Sequence, residues 1–327
     1  MQNALGRRAF LISSVAVAAG AGAAGRKGRA ARKEVQFRTK LFKALICRGA
    51  PSEDYLKRLK DAGFHGVEAG IVSPSEAEQA RKRAEKLGMR IHSVLRGWAQ
   101  FNSKDPSKVE ASLAVTEKAL RAAAAYGADA VLLVPCRIGG MPMPRPWEFR
   151  IDFDPKTCHI RTVTAGDNKP FARYIEAHNH SVDTSREAVK RLIPIAEKTG
   201  VVIALENVWN NLWVHPEIFR NFVASFGHPL VKAYFDIGNH VKYRRPEAWI
   251  LELGGLIAKL HVKDFKLDKN DPKGGGHFVP IREGDVRWPI IRRALDRVGY
   301  NGWMTIEGGG LSVEENSRRL DKIIAGV

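Results

Sequence analysis

The sequence predicts an α/β chain folded as a single (β/α)8 (TIM) barrel, and three observations carry that reading. Short apolar, strand-like runs alternate with amphipathic helical runs along almost the whole chain. Several helical runs open on Ser and close at Gly, the residue types that cap the two ends of a helix. The 327 residues, 44% of them hydrophobic, are enough for one large core and exclude global disorder.

The elements follow in order. FKALICR (42–48) predicts the first strand and SEDYLKRLKDAG its helix; HGVEAG (65–70) and SEAEQARKRAEKLG form the second pair. RIHSVL (90–95) precedes SKVEASLAVTEKALRAAAAYG, and DAVLLVP (129–135) is a fourth, fully apolar strand. SREAVKRLIPIAEKTG is the next helix. Four more strand-like runs complete the set: VVIALEN, VKAYFDIGN, AKLHVKDF and WMTIEGGG. The competing doubly wound sheet calls for a Gly-rich phosphate turn after the first strand, and CRGAPSED is not one.

Two connections break the rhythm. Nearly fifty residues, 136–184, separate strand four from its helix and are rich in Pro, Arg and aromatics (GGMPMPRPWEFRIDFD). KLDKNDPKGGGHFVPIREGD follows strand seven. Long connections in a compact domain are usually functional, and both leave the C-terminal strand ends, so both are expected to wall a pocket.

Each of the last four strands ends on a residue able to bind metal: Glu206, Asp236, His261 and Glu307. Side chains alternate along a strand, and inward-pointing groups at its C-terminal end meet solvent in the barrel mouth. Taken singly, each residue could be a cap or a satisfied core group. Together, three carboxylates in one mouth are costly unless a cation compensates them, and three O donors with one N donor suit a single hard divalent ion.

The segments ALENVWNN, YFDIGN, LHVKDF, FVPIREGDVRW and GYNGWMTIEGGG resemble the sugar phosphate isomerase/epimerase superfamily, whose barrel is xylose isomerase-like. In style they are similar to the L-ribulose-5-phosphate 3-epimerase and hexulose-phosphate isomerase branch, then to the ketose 3-epimerases. The resemblance runs from about residue 40 to the end of the chain. It implies a metal-dependent isomerase or epimerase in which Glu206, Asp236, His261 and Glu307 bind one divalent ion. Mn²⁺ comes first, with Zn²⁺, Co²⁺ or Mg²⁺ as the other candidates. It also implies that Glu206 and Glu307 are the acid/base pair. Proton transfer next to a carbonyl needs a carboxylate at the carbon and a Lewis acid for the developing enediolate, which agrees. Glu68, His92, Asn207, Trp209, Asn239, Lys263 and Arg282 are the expected substrate-binding residues, with Asp264 beside them and the GGG runs at 274–276 and 308–310 as possible phosphate cradles. A small carbohydrate is the implied partner, and homo-oligomers are common in similar proteins.

Departures from the pattern bear on the substrate. Ketose 3-epimerases carry a substrate-binding His three residues after the metal Asp; this chain has Asn239, with His240 one place later. Their second Glu, six residues beyond the first ligand, is Leu212 here. A lyase acting on 3-keto-glycosides, which uses the same α-proton chemistry, is therefore the main alternative. An endonuclease IV-like DNA repair enzyme is weaker, because its extra zinc-binding His residues and an aromatic–basic stripe are missing, and no nucleic-acid partner is expected. A non-catalytic sugar-binding protein is a third reading, opposed by the intact Glu206 and Glu307. The neighbouring histidines of HNH (178–180) are not expected to hold a second metal.

Residues 1–36 read as an export signal and basic linker, and 37–327 as the barrel. RRAFLISS, with Arg7 and Arg8, followed by SSVAVAAGAGAAG, looks like a twin-arginine signal; it implies the Tat machinery as partner and a periplasmic or extracellular location. The apolar run is too short and too rich in Ala and Gly for a membrane anchor. The leader holds much of the net charge of +18, yet the rest of the chain is still basic and suited to anionic sugars, acidic polysaccharide or a membrane surface. Cys47, Cys136 and Cys158 show neither zinc-ribbon spacing nor a disulfide framework and read as packing residues.

Overall fold

The structure, a computed structural model, describes residues 36–271 and 274–327. The expected leader therefore lies, but for its last residue, outside the described residues. Eight strands form the barrel: β1 (Leu41–Ile46), β2 (Gly66–Gly70), β3 (Arg90–Trp98), β4 (Ala130–Val134), β5 (Val202–Glu206), β6 (Val231–Asp236), β7 (Ile257–Val262) and β8 (Gly302–Ile306). Each pairs parallel with its sequence neighbours, and β8 closes on β1. The helices are α1 (Glu53–Asp61), α2 (Pro74–Lys86), α3 (Pro106–Tyr126), α4 (Ala172–Thr199), α5 (Pro216–Ala224), α6 (Pro246–Leu253), α7 (Trp288–Arg297) and α8 (Val313–Ile324). Among the described residues no helix is long and apolar enough to cross a membrane.

Strand faces follow the alternation. Ala130, Leu132 and Val134 of β4 meet Ala204 and Tyr234 inside the barrel, and the opposite faces join a larger apolar cluster with the helices. The floor is closed by Trp303, whose ring lies against the backbone of Gly66: a β-carbon there would stand 2.7 Å from the indole and 2.3 Å from the Arg90 carbonyl. His92 stacks on the same indole at 4.5 Å.

Helix caps move some of the expected boundaries. Ser52 caps α1 as expected, but α2 is capped by Ser73 in a reciprocal box with Glu76, and α3 by Asp105. In both of the latter a Pro fills the first helical position, where its missing N–H costs nothing.

The larger correction concerns α4. It begins at Ala172, well before the expected Ser185, so the long connection is shorter than 136–184. Its buried stripe includes Tyr174, His178, Ser181, Val182 and Ser185, spaced as one helical face. The polar members of that stripe hide the apolar period from a reading of hydrophobic residues alone. Before the helix, Asp152–Phe153 and Ile160–Thr162 pair as a small hairpin. The insertion after β7 is likewise a hairpin, Asp264–Leu267 against Gly276–Val279.

Candidate metal centre and its flanking clefts

Register brings the four strand-end residues together. Asp236 pairs with His261 across β6 and β7, Thr305 pairs with His261 across β8, and Glu307 follows at the end of that strand. With Glu206 from β5, one donor atom from each of the four residues lies within 4.8 Å of the others. From Nδ1 of His261 the distances are 2.7 Å to Oε2 of Glu307, 3.4 Å to Oε1 of Glu206 and 3.9 Å to Oδ2 of Asp236. Glu206, Asp236 and His261 are buried, whereas the Glu307 side chain is one-third exposed.

The turn after β6 fixes Asp236. Its Oδ1 accepts from the amides of Gly238 and Asn239 at 2.8 and 2.7 Å, which leaves Oδ2 facing the cluster. Gly238 permits this turn, since a β-carbon there would lie 2.6 Å from Cβ of Lys263.

The donor set fits a divalent cation. Asp236 Oδ2, His261 Nδ1 and Glu307 Oε2 are buried and lack a hydrogen bond of proper geometry despite their close approach. Three such ligand atoms converging on one point, with the Glu206 carboxylate beside them as a fourth, suit a divalent cation, with Lys263 already supplying part of the compensating charge. Lys263 shares the carboxylates, with Nζ 2.8 Å from Glu307 Oε2 and 3.3 Å from Asp236 Oδ2.

The two glutamates differ in electrostatics. Burial pushes the Glu206 carboxyl up to about 7 against the pull of His261. Burial also acts to raise Glu307, but the charges of His261 and Lys263 outweigh it and hold this carboxyl well below the usual range. Burial raises Asp236 as well. For His261 burial is overcome by Glu68, Glu307 and Glu206, which raise the imidazole well above its ordinary value.

Several expected substrate residues are engaged by neighbouring elements of the protein. Glu68 is fully buried: Oε2 accepts from Nε2 of His261 at 2.6 Å, and Oε1 accepts from Ser93 Oγ at 2.9 Å. Both of its oxygens are engaged, and it supports the imidazole from behind. His92 lies one layer lower, with Nε2 at 3.0 Å from Thr305 Oγ1, and burial holds its imidazole well below the ordinary value. Asn207 is a clamp between strands, donating to the Asp236 carbonyl and accepting from the Asp236 amide. Arg282 is exposed and lines neither cleft; among the described residues its amide alone is engaged, donating to Asp264 Oδ2 at 2.8 Å. In each case a neighbouring element supplies the polar partner, which no single-strand pattern reveals.

Trp209, Asn239 and Lys263 do stand at the mouth. Asn239 Nδ2 approaches Glu206 Oε1 at 3.5 Å, its Oδ1 accepts from Lys263 at 3.3 Å, and its carbonyl accepts from the Trp209 indole N–H. His240, one place on, is turned into the core onto the Trp213 carbonyl and is no substitute for a His at 239. Leu212 is fully buried. His178 and His180 of the HNH run bind the carbonyls of Leu212 and Asn102 from α4. The three cysteines are free.

The sequence reading gave Asp264 no specific role, and it proves a structural hub. Buried between the hairpin and α7, it accepts from the amides of Phe265, Arg282 and Val286 and from the Trp288 indole. Its neighbour Lys263 points to the opposite side, into the site, as strand alternation requires.

Two clefts flank the cluster. One of about 1000 Å³ opens onto Glu307 and Lys263 and is walled by Arg48, Phe278 and the Gly308–Gly310 run. A second of about 650 Å³ lies between the two insertions, with Trp209 in its wall. Trp209 and Phe278 stack at 5.0 Å and separate the two.

Comparison with known proteins agrees with this architecture. A family model described as xylose isomerase-like TIM barrel matches residues 56–323. L-ribulose-5-phosphate 3-epimerase UlaE of Escherichia coli O1:K1 is 27% identical over 150 residues, 46% of this chain and 51% of that protein. The chain thus spans about half the length of the curated relatives it matches. Among solved structures, a D-tagatose 3-epimerase-like protein superposes with a TM-score of 0.65 at 16% identity, covering 86% of this chain and 96% of that one. The 3-keto-D-glucoside 4-epimerase YcjR from E. coli gives 0.64 at 14%, covering 87% and 99%. At these identities the superpositions speak for the fold.

Proposed function

The chain belongs to the xylose isomerase-like TIM barrel family, and from that premise we propose that it is a metal-dependent sugar epimerase or isomerase acting by proton transfer beside a carbonyl. One observation carries the reading. Two glutamates, from β5 and from the end of β8, share one convergent donor cluster with Asp236 and His261 at the mouth of a cleft.

Glu206, Asp236, His261 and Glu307 would hold the ion, and three carboxylates with one imidazole favour a hard ion such as Mn²⁺. A divalent cation there would supply the Lewis acidity that makes the carbon next to the carbonyl acidic. Glu307, the more exposed of the two and held ionised, is the proton acceptor. Glu206, ionised once it ligates the ion, stands at the end of β5 across from Glu307 and is the carboxylate that passes a proton back to the carbon. Return to the opposite face of the same carbon inverts it; return to the neighbouring carbon isomerises the sugar. Lys263 and Asn239 stand where substrate oxygens would be held.

The deciding experiment is incorporation of solvent deuterium at the α-carbon across a panel of ketoses, ketose phosphates and 3-keto-glycosides. Glu206→Gln and Glu307→Gln are each expected to abolish net epimerisation or isomerisation of whichever sugar is turned over, and Glu307→Gln to abolish exchange as well. Near-normal turnover in either variant would reject the acid/base assignment.

The keto-glycoside lyase is the second reading, favoured by Asn239 and Leu212 in place of the ketose-epimerase residues and by clefts roomier than a single sugar needs. Release of aglycone along with exchange identifies it. Export by the twin-arginine route is proposed on Arg7 and Arg8. Retention inside the cell after both are changed to Lys would support it, and unchanged secretion would count against it.

A further inference from the structure

The cleft of about 650 Å³ on the far side of Trp209 contains none of the four candidate metal ligands. The two insertions build it. Trp147, from the segment after β4, packs over the backbone of Gly275 from the segment after β7; a β-carbon at Gly275 would lie 2.9 Å from its ring. On the opposite wall Lys242 Nζ sits 3.4 Å from the centroid of Trp209, a close cation–π contact, and Tyr243 continues that wall. Four cationic side chains line the cleft, Arg137, Arg145, Lys242 and Lys269, whereas Asp271 is the one acidic residue among the described lining.

Its volume is within the roughly 300–1,000 Å³ of small-molecule sites. The Trp147 indole and the Tyr243 phenol in its walls provide flat apolar surface of the kind on which the C–H face of a pyranose rests, and the cations add a demand for negative charge. A bare anion would need the charge but not the aromatic walls. Burial brings Lys242 down to about 8, so an arriving anion would strengthen a charge this wall holds weakly. The cleft also continues outward: Arg137 lines a neighbouring cleft with Trp98, which is 46% exposed, and its guanidinium lies 5.7 Å from that ring.

The geometry points to a second sugar subsite: this cleft binds an acidic sugar ring, of the uronate type, belonging to a disaccharide or longer glycoside whose neighbouring ring reaches the metal centre past Trp209 and Phe278. This rests on the proposed carbohydrate function and names the class of its substrate. The edge of the stacked Trp209–Phe278 pair would then border the linkage between the two rings.

The test is calorimetric titration of the full chain, in the presence of Mn²⁺, with glucuronosyl-(1→4)-glucose, cellobiose, glucose and inorganic phosphate. The acidic disaccharide is expected to bind at least about tenfold more tightly than cellobiose, and cellobiose more tightly than glucose. Trp147→Ala and Lys242→Gln are each expected to remove most of the preference for the acidic disaccharide, Lys242→Gln chiefly its salt-sensitive part. The thermal melt of each variant shows that it is folded, and either one alone suffices for the test. Equal binding of the acidic and neutral disaccharides would overturn the proposal. So would an unaltered preference in both folded variants, or displacement of the disaccharide by an equal concentration of phosphate. Binding is read without turnover, so the two failures separate. Selective binding with no deuterium exchange on any sugar would reject the epimerase reading alone. Exchange on a monosaccharide with no acidic-disaccharide preference would reject the subsite alone.

Discussion

Glu68 Oε2 lies 2.6 Å from Nε2 of His261, and both side chains are fully buried. This contact commits one ring nitrogen to the carboxylate and leaves Nδ1 to face Glu206, Asp236 and Glu307. A carboxylate behind a histidine ligand fixes its tautomer and orientation and makes the ligand more basic. Glu68 is itself held by Ser93, whose hydroxyl also lies 3.4 Å from that of Tyr234, and the Tyr234 ring packs on His261 at 4.5 Å.

Glu68→Gln should therefore weaken divalent-ion binding by about 10- to 100-fold while the barrel stays folded. The amide keeps an acceptor for Nε2–H and about the same volume, but loses the charge. Titration with Mn²⁺ against a competing chelator reads the affinity, and far-ultraviolet circular dichroism reads the fold. An unchanged affinity would remove Glu68 from the metal centre.

Ion binding should release protons. His261 is held protonated by Glu68, Glu307 and Glu206, and Glu206 is raised to about 7 chiefly by burial, so both must lose a proton to act as ligands. Glu307 is already ionised and contributes none. Because the free site binds more protons than the loaded site, affinity must rise with pH. Between pH 6 and 8 the logarithm of the association constant should climb by about one to two per pH unit. Calorimetry in buffers of different ionisation enthalpy counts the protons directly. A flat profile, or proton uptake, would contradict the ligand set.

The strand-end cluster was legible in the sequence because each member closes its own apolar run and strand alternation alone sends it inward. Depth within the barrel was not. Glu68 and His92 also face inward, yet Glu68 is spent on His261 and His92 on Thr305 and Trp303. Which layer a residue occupies depends on barrel stagger, and its partner comes from a strand far away in sequence. Asn207 follows the same logic, since only the neighbouring strand shows that its amide is consumed by Asp236. The start of α4 was hidden because His178 and Ser181 occupy apolar positions of its buried stripe. Trp147 and Gly275 carry no pattern that links them; their contact exists only because two insertions leave the same face.

Gly66 sets the barrel floor, and Gly66→Ala should cost about 3 kcal/mol by overpacking. The new methyl would meet the Arg90 carbonyl at 2.3 Å and the Trp303 ring at 2.7 Å. Trp303→Leu in the same chain should recover only part of the loss, because the carbonyl clash persists. Chemical denaturation measures both, and full recovery in the double variant would show that the indole alone limits the position.

Asp264 ties the hairpin after β7 to the start of α7, and the effect of removing it follows from its four donors. Its carboxylate receives the amides of Phe265, Arg282 and Val286 and the Trp288 indole N–H, at 2.8 to 3.2 Å. Asp264→Ala leaves the Phe265 and Val286 amides and the Trp288 indole without their acceptor in a buried setting, where each unpaired group costs about 1–3 kcal/mol. Water entering the space offsets part of that, so a net loss of roughly 3 kcal/mol is expected. The loosened segment carries Phe278, which stacks on Trp209 between the two clefts. The variant should therefore become sensitive to protease between residues 264 and 288 and lose sugar binding more than metal binding, since Lys263 and His261 belong to the barrel side of the strand. Asp264→Asn, which keeps one carbonyl acceptor, should fall between the variant and the parent. A melting temperature and protease pattern unchanged by Asp264→Ala would show that the hairpin is held by its apolar contacts through Phe265 and Trp288 and not by the carboxylate.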